Sequence, residues 1–443
     1  MSNHRSFMPL SGIMMSNENF DTTAENLTGA DAIAPDESDT LAAAVSEITA
    51  DEAGMAAGVE QIDAATAAAD GLETISETVA AANEGDGIDE ATAEIVEASV
   101  ESILKVARIG IKFQQLGLPT TESFKVKANR NRLGVKTCEA LDISAKKIWQ
   151  SIVTAIKNSI EWVRNFFNKI FGAAENLEKR AKALKEKTTS LSGQPEEANL
   201  ENNALYNAVR LNGAPAKPSD ISDLAHEAVK LFAEQKKTVD EFGKVELGGG
   251  GASFFQPTPA SYGLKPADSG TAKRVTAEGD IAVHVSSRFP GESVVFLAVP
   301  KAQGGADAKA YSDYASKIRA GSISLSDKKD EGKSLKTLSI SEIQAISDSV
   351  ASLANTVAAY KSNLTAINAN KEKFVSKLEA YMQKDGKDEA DSKGDASKKA
   401  KAEATIYRKL MDEPAASFAS HSVKSMSSVL QYAELSARQY SKG

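Results

Sequence analysis

The stretch from Ile143 to Phe171 leaves this chain the least freedom. At 100° per residue, Ile148, Trp149, Ile152, Val153, Ile156, Ile160, Trp162, Val163, Phe166, Phe167, Ile170 and Phe171 fall within one arc of about 180°. Lys146, Lys147, Gln150, Lys157, Asn158, Glu161, Arg164, Asn165, Asn168 and Lys169 take the other side. The spacing predicts a helix capped by Asp142 or Ser144 and closed by Gly172, with a polar, Lys-rich helix continuing from Glu175 to Lys187. A half-apolar helix must cover its arc, and three readings stay open. The arc can pack on the chain's own core. A basic amphipathic helix bearing Trp and Phe can instead lie in a membrane interface, through Trp149, Ile152, Ile156, Ile160, Val163, Phe167 and Ile170. Its Lys/Arg face can also meet phosphates without reading bases.

The last third carries a second constraint. Ser339 and Glu342 have capping-box spacing. Ile343, Ile346, Val350, Leu353, Val357, Tyr360, Leu364 and Ile367 then follow a 3-4 spacing that resumes past Lys371 at Phe374, Leu378 and Tyr381. A final helix from Ala404 to about Tyr440 is expected to fold back antiparallel onto this seam as a hairpin or bundle, with an intermolecular coiled coil as the alternative. Lys384 to Glu403, of mixed charge, reads as a solvated linker.

The middle is patchier. Residues 117–135 read as a loop after a short helix opened by Ile103, Leu104, Val106 and Ile109. Residues 196–247 read as helical pieces broken at Pro215 and Pro218, one carrying a stripe of Ala225, Val229, Leu231, Phe232 and Val239. Gly248 to Gly251 is a hinge or linker. Beyond it Ile281, Val283 and Val285 alternate with polar residues, Phe289-Pro290-Gly291-Glu292 forms a turn, and Ser293 to Val299 reads as a second strand. The expected fold is mainly α: a helical bundle or hairpins with a small antiparallel β insertion and a disordered or loosely helical acidic N-terminal segment. Its parts are an acidic, propeptide-like segment (1–101), a basic helical domain (102–247), the β insertion (252–300) and a helical hairpin or bundle (301–443) containing the charged linker 384–403.

Composition removes whole classes. Aromatics are only 6%, which favours aliphatic helices over aromatic-rich β-sandwiches. Cys138 is the one cysteine, so neither a disulfide framework nor a Cys-based zinc site can form within a chain. The four histidines stand at no metal-ligand spacing, and no metal or other cofactor is expected. No apolar run is long enough to span a bilayer as a helix. Met-Ser-Asn occurs at Met1 and again at Met15, so either can be the start of translation. Gly332-Lys333-Ser334 resembles the end of a P-loop, but Asp327 occupies the required glycine position. With no nucleophile elbow, zinc-protease or kinase motif, the chain is not read as an enzyme.

Charge is the most informative number. The formal net charge of −9 joins two opposite halves. Residues 1–101 hold 22 acids and one base, Arg5, for −21, which leaves residues 102–443 at +12. Nearly all of that excess sits in residues 102–190, with 18 bases against 7 acids. Such asymmetry points to nucleic-acid or membrane contact masked by an acidic segment, or to a solubilising tail. The candidate phosphate-binding residues are Lys105, Arg108, Lys112, Lys125, Lys127, Arg130, Arg132, Lys136, Lys146 and Lys147.

At the charge boundary stand Ile88-Asp89-Glu90-Ala91, Ile95-Val96-Glu97-Ala98 and Ser99-Val100-Glu101-Ser102. Each fits the pattern cut by phage prohead proteases, which cleave after Glu with a small or aliphatic residue two positions before. An acidic Ala/Glu-rich segment, Glu90, Glu97 and Glu101 as candidate cut sites, and a basic segment running to Asn165-Phe166-Phe167-Asn168-Lys169-Ile170-Phe171-Gly172 together resemble the internal head (inner-body, prohead-core) proteins of large tailed bacteriophages. The resemblance implies a virion structural protein packaged inside the capsid. It further implies a propeptide removed by a maturation protease, and residence beside phage DNA and other capsid or core proteins. The alternatives are a membrane-active protein acting through the amphipathic helix 143–171 and a bacterial coiled-coil interaction protein with an acidic tail.

Overall fold

The computed structural model describes residues 35–84, 87–106, 116, 118–119, 121–247, 255–302, 307–326, 330–384 and 395–442. The Met1/Met15 question, Arg108, Ile109, Lys112, Gly248–Gly251, Asp327 and the linker residues 385–394 lie outside them. One compact unit comprises Leu41–Gly443; of the preceding unit, described residues 35–40 are the first turns of a helix.

That helix is α1, Pro35–Asn83, followed by α2, Glu90–Val106. Two short 3-10 turns, Thr121–Lys125 and Lys127–Asn129, lead into α3, Arg130–Thr188, which is 59 residues long. After β1 (Leu191–Ser192) and β2 (Asn199–Leu200) come α4 (Asn203–Val209), β3 (Arg210–Leu211), β4 (Ala214–Pro215) and α5 (Pro218–Phe242). Next are β5 (Lys265–Pro266), α6 (Ser269–Val275), β6 (Ile281–Val285), β7 (Ser293–Pro300), α7 (Ala308–Lys317), β8 (Arg319–Ser324) and β9 (Leu335–Lys336). The chain ends with α8 (Ile340–Ala359), α9 (Lys361–Lys384), α10 (Asp395–Leu410), α11 (Ala415–Ala437) and β10 (Ser441–Lys442).

The amphipathic stretch folds on the chain's own core. Every residue of the predicted arc is buried except Trp162, which is half-buried, and α8, α9 and α11 supply the cover. Phe167 meets Tyr360 edge-on at 5.6 Å, and Tyr360 stacks on Phe232 of α5 at 4.5 Å. The helix is twice the expected length. Ser144 is no cap, because its hydroxyl donates to the Ala140 carbonyl one turn back, and Asp142 and Gly172 also lie mid-helix. The described part of the expected loop 117–135 is accordingly residues 118–119, the two 3-10 turns and the first turns of α3.

The seam is also consumed internally. Ile343, Ile346, Val350, Leu353, Val357, Ile367, Phe374 and Leu378 are buried, and α11 packs antiparallel along α8. The capping box forms: Ser339 Oγ accepts from Glu342 N at 3.3 Å, and Glu342 Oε2 accepts from Ser339 N at 2.8 Å. Lys371 occupies a seam position and is buried against Asp412, so this one polar seam residue fixes where the α10–α11 connection docks. The expected single final helix is two, separated by Met411–Pro414 with a cis Glu413–Pro414 bond.

The β unit runs further than 252–300. It is a four-stranded antiparallel sheet in the order β5-β6-β7-β8, with β8 reaching Ser324. The predicted turn is present, with Gly291 and Glu292 at φ 86° and 61° and Glu292 N donating to the Phe289 carbonyl at 3.0 Å. A second hairpin, β3–β4, turns on Asn212-Gly213 at φ 53° and 81°, the conformation an Asn-Gly pair favours. The principal hydrophobic cluster draws on residues from Leu41 to Ala437, so all four sequence stretches contribute to one core.

Candidate functional site

The acidic segment is ordered by the rest of the chain. From residue 35 to 83 it carries eleven acids and no base, and on its own it cannot build a core. Leu41, Ile48, Ala68, Ala69, Leu72 and Val79 give α1 a buried stripe, small enough at the alanines for close helix approach.

Two rows of contacts fix its path. Along α3, Asn83 Nδ2 donates to the Asn131 carbonyl (3.1 Å) and Ser76 Oγ to the Cys138 carbonyl (3.4 Å). A Cβ on Gly54 would touch Trp162 at 3.5 Å, and Lys169 Nζ donates to Asp51 (2.9 Å) and pairs with Glu47 (3.2 Å). Along α10 and α11, Glu77 pairs with Lys398 (3.5 Å), Glu73 with Lys401, and Asp63 with Arg408. Glu52 accepts from Ser420 Oγ at 2.8 Å and from Lys424 Nζ at 2.7 Å. In both rows the partner's number rises as the α1 number falls. Helix α1 therefore lies antiparallel between α3 and α10–α11, with its carboxylates against the cations of α10–α11.

Burial sharpens this electrostatics. Arg408 is 2% exposed and Lys401 9%. Burial pulls the Arg408 guanidinium below its ordinary range, and Asp63 opposes that. Hydrogen bonds from Lys169 to Asp51 and Glu47 hold its ammonium above its ordinary value. His421, 3.6 Å from Glu52, is pushed down by burial to about 4. The stretch 395–403, expected as solvated linker, is the start of α10, and Lys399, Lys401 and Glu403 are buried there. Composition misleads because the carboxylate that offsets Lys401, Glu73, lies over 300 residues away.

The three candidate cut sites all fall in α2. Glu90 is its first residue, behind Asp89, whose carboxylate accepts from Thr92 N at 2.8 Å and is held below the usual range by that residue's hydrogen bonds. Ile88, two before Glu90, is buried in a small pocket with Ala93, Leu118 and Phe124. At Glu97 the geometry reverses: Ile95 is 67% exposed and Ala98 is exposed. Glu101 and Ser102 are exposed, with Ser99 half-buried. A protease binds an extended segment, so each bond needs local unwinding of the helix before it can be cut. The charge boundary at residue 101 is thus inside a helix and not in a linker.

The predicted basic residues are spread on the surface. Lys105, Lys125, Lys127, Arg132, Lys136 and Lys147 are exposed, and Arg130 and Lys146 half-buried. On α3, Arg132, Lys136, Lys146 and Lys147 fall within an arc of about 100° that also contains Glu139. Lys125 pairs with Glu90 at 3.5 Å, and Arg130 Nε donates to the Phe124 carbonyl at 3.1 Å. Among the described residues the α1 carboxylates pair with none of these; in the described part of residues 102–190 their cationic partner is Lys169. The amphipathic residues Trp149, Ile152, Ile156, Ile160, Val163, Phe167 and Ile170 are buried in the core. Among the described residues no helix is long and apolar enough to cross one. Sequence reasoning missed the α10–α11 cations. Their signal was the 3-4-3 spacing of Lys398, Lys401, Thr405 and Arg408, together with a long acidic helix that has no base of its own.

A model of the phiKZ-like phage internal head proteins matches residues 33–435. No curated protein and no solved structure matches the chain.

Proposed function

The chain belongs to the phiKZ-like phage internal head proteins, a virion structural family of the capsid interior, and from that premise we propose that α1 and part of α2 are a removable cover over a DNA-associating body. The observation that carries this is the antiparallel ladder of Glu77–Lys398, Glu73–Lys401 and Asp63–Arg408. It joins the acidic segment to cations of the body by side chains that a cut in α2 would leave without a covalent tether. Cleavage at Glu90, Glu97 or Glu101 by a prohead protease turns the attachment of α1 from intramolecular to bimolecular and ends its high effective concentration. The body left behind is basic, and its role is structural and not enzymatic: it neutralises packaged DNA without reading sequence.

The test is limited digestion of the folded full chain with a Glu-specific endoprotease, followed by mass analysis and duplex binding. First cuts between residues 84 and 102, with the remainder resistant and newly able to bind duplex DNA in a salt-dependent way, are expected. Equal DNA binding before and after cutting would make the charge split a solubility feature and overturn the reading.

A further inference from the structure

We propose that the face of α10–α11 covered by α1, together with Lys169 of α3, is the phosphate-backbone binding site of the mature protein, with the α1 carboxylates occupying the phosphate positions until the cover leaves. This rests on the reading of α1 as a removable segment, and it relocates the nucleic-acid site away from residues 102–147.

The surface stripe on α3 makes a weak competitor. Its cations are interrupted by Glu139, and among the described residues no ion pair selects their spacing. The covered cations differ in each respect. Lys398, Lys401 and Arg408 lie on one face of α10 at separations of three and seven residues, a row about 15 Å long at 1.5 Å per residue. That length matches about four phosphates of one strand, spaced 3.4 Å along the duplex axis. Each of the three already faces a carboxylate: Lys398 faces Glu77, Lys401 Glu73 and Arg408 Asp63. Lys424 extends the row on α11 through Glu52, and Lys169 adds a cation from the other wall through Asp51 and Glu47. The face is thus already organised to receive a row of anions about a helix wide.

It is also shielded. At its centre Lys401 and Arg408 are 9% and 2% exposed, closed in by Glu73 and Asp63 of α1 and, for Lys401, also by the Trp149 ring of α3 at 5.6 Å, while Lys398 at the end of the row is 43% exposed. Cleavage alone does not expel α1, because its buried stripe of Leu41, Ile48, Leu72 and Val79 remains seated. DNA must displace it, which couples exposure of the site to the presence of DNA.

The experiment uses the full chain with a site-specific protease sequence inserted after Glu84, between α1 and α2. Binding of a 30-base-pair duplex of random sequence is followed by anisotropy across salt, with circular dichroism reporting the fold. The uncut protein should bind weakly. The cut protein should bind with a log–log salt slope of about −4 to −5, as five cations at about 0.9 counterion each require. In the cut protein, K398Q/K401Q/R408Q should make the slope shallower by about 3, while R132Q/K136Q/K147Q leaves it unchanged. Because the first triple variant can fail to fold, D63N/E73Q/E77Q provides an independent arm: it leaves every proposed DNA contact intact and, once cut, should release α1 more readily and bind duplex several-fold more tightly than the cut wild type. Failure of the cut wild type to bind duplex at all overturns the DNA-associating function itself. Binding lost in the α3 variant but kept in the α10 variant, or cut D63N/E73Q/E77Q binding no more tightly than the cut wild type, leaves that function standing and overturns this assignment.

Discussion

Asp63 of α1 bonds Arg408 of α10 across 345 residues of sequence, and Arg408 is almost wholly buried where it does so. Removing the acid leaves that guanidinium without its carboxylate. A fully buried pair broken this way costs about 3–5 kcal/mol. Asp63 is 40% exposed, and solvent screening reduces the expected loss for D63A to about 1–3 kcal/mol. The exposed pair Glu77–Lys398 should matter far less, with E77A within about 1 kcal/mol of wild type. Urea unfolding at pH 7 separates the two, and hydrogen exchange along α1 should rise in D63A alone.

Gly87 sets the entry to α2. It has φ 80°, and a Cβ there would lie 2.9 Å from the Asn131 backbone nitrogen and within 2.0 Å of its side-chain oxygen. G87A should therefore destabilise the α1–α2 connection by about 1 kcal/mol or more. Because this loosens buried Ile88, cleavage at Glu90 should accelerate relative to Glu101. Quantitative mass analysis of a digestion time course reads that ratio, and an unchanged ratio would show that Ile88 does not restrict access.

Glu403 of α10 is 3% exposed, and burial pushes its carboxyl up to about 7, with Lys399 at 4.0 Å opposing. The folded state therefore holds this proton more tightly than the unfolded state, whose value is the ordinary 4.5. The contribution is fully present below pH 4.5 and is lost as pH rises to about 7, a change on the order of 3 kcal/mol. E403Q should flatten this part of the profile and be relatively most favourable near pH 8. Urea midpoints at pH 5 and pH 8 give the comparison.

Trp149 is 1% exposed within the α3 arc. W149A should cost about 3–5 kcal/mol, as for other large-to-small changes in a packed core. The same burial predicts that a 143–172 peptide leaks anionic vesicles while the folded full chain does not. Leakage by the full chain at equal concentration would restore the membrane reading.

Legibility followed the range of the forces involved. The Ile143–Phe171 arc, the Ser339–Glu342 box, the Phe289–Glu292 turn and the seam from Ile343 are set by neighbours within a few residues, and each is present. Helix ends were harder. Ser144 carries a start signal and Gly172 a stop signal, and tertiary packing overrides both along a helix of 59 residues. Least legible were α1 and the start of α10, where a run of acids read as disordered or loosely helical and a run of mixed charge as a solvated linker. Their order comes from pairing with each other, as Glu73 does with Lys401, and no local window contains both. The charge boundary was legible as a number, but the cations it concerns were sought next to it in sequence, while the fold brings them from the other end of the chain.

The mass of this protein extracted from purified phage particles tests the account most directly. A mature chain beginning at Ala91, Ala98 or Ser102, with α1 absent or present only as a separate peptide, is the predicted result. A chain that still carries α1 covalently in mature particles would contradict it, because the α10–α11 cations would then remain permanently paired with Asp63, Glu73 and Glu77.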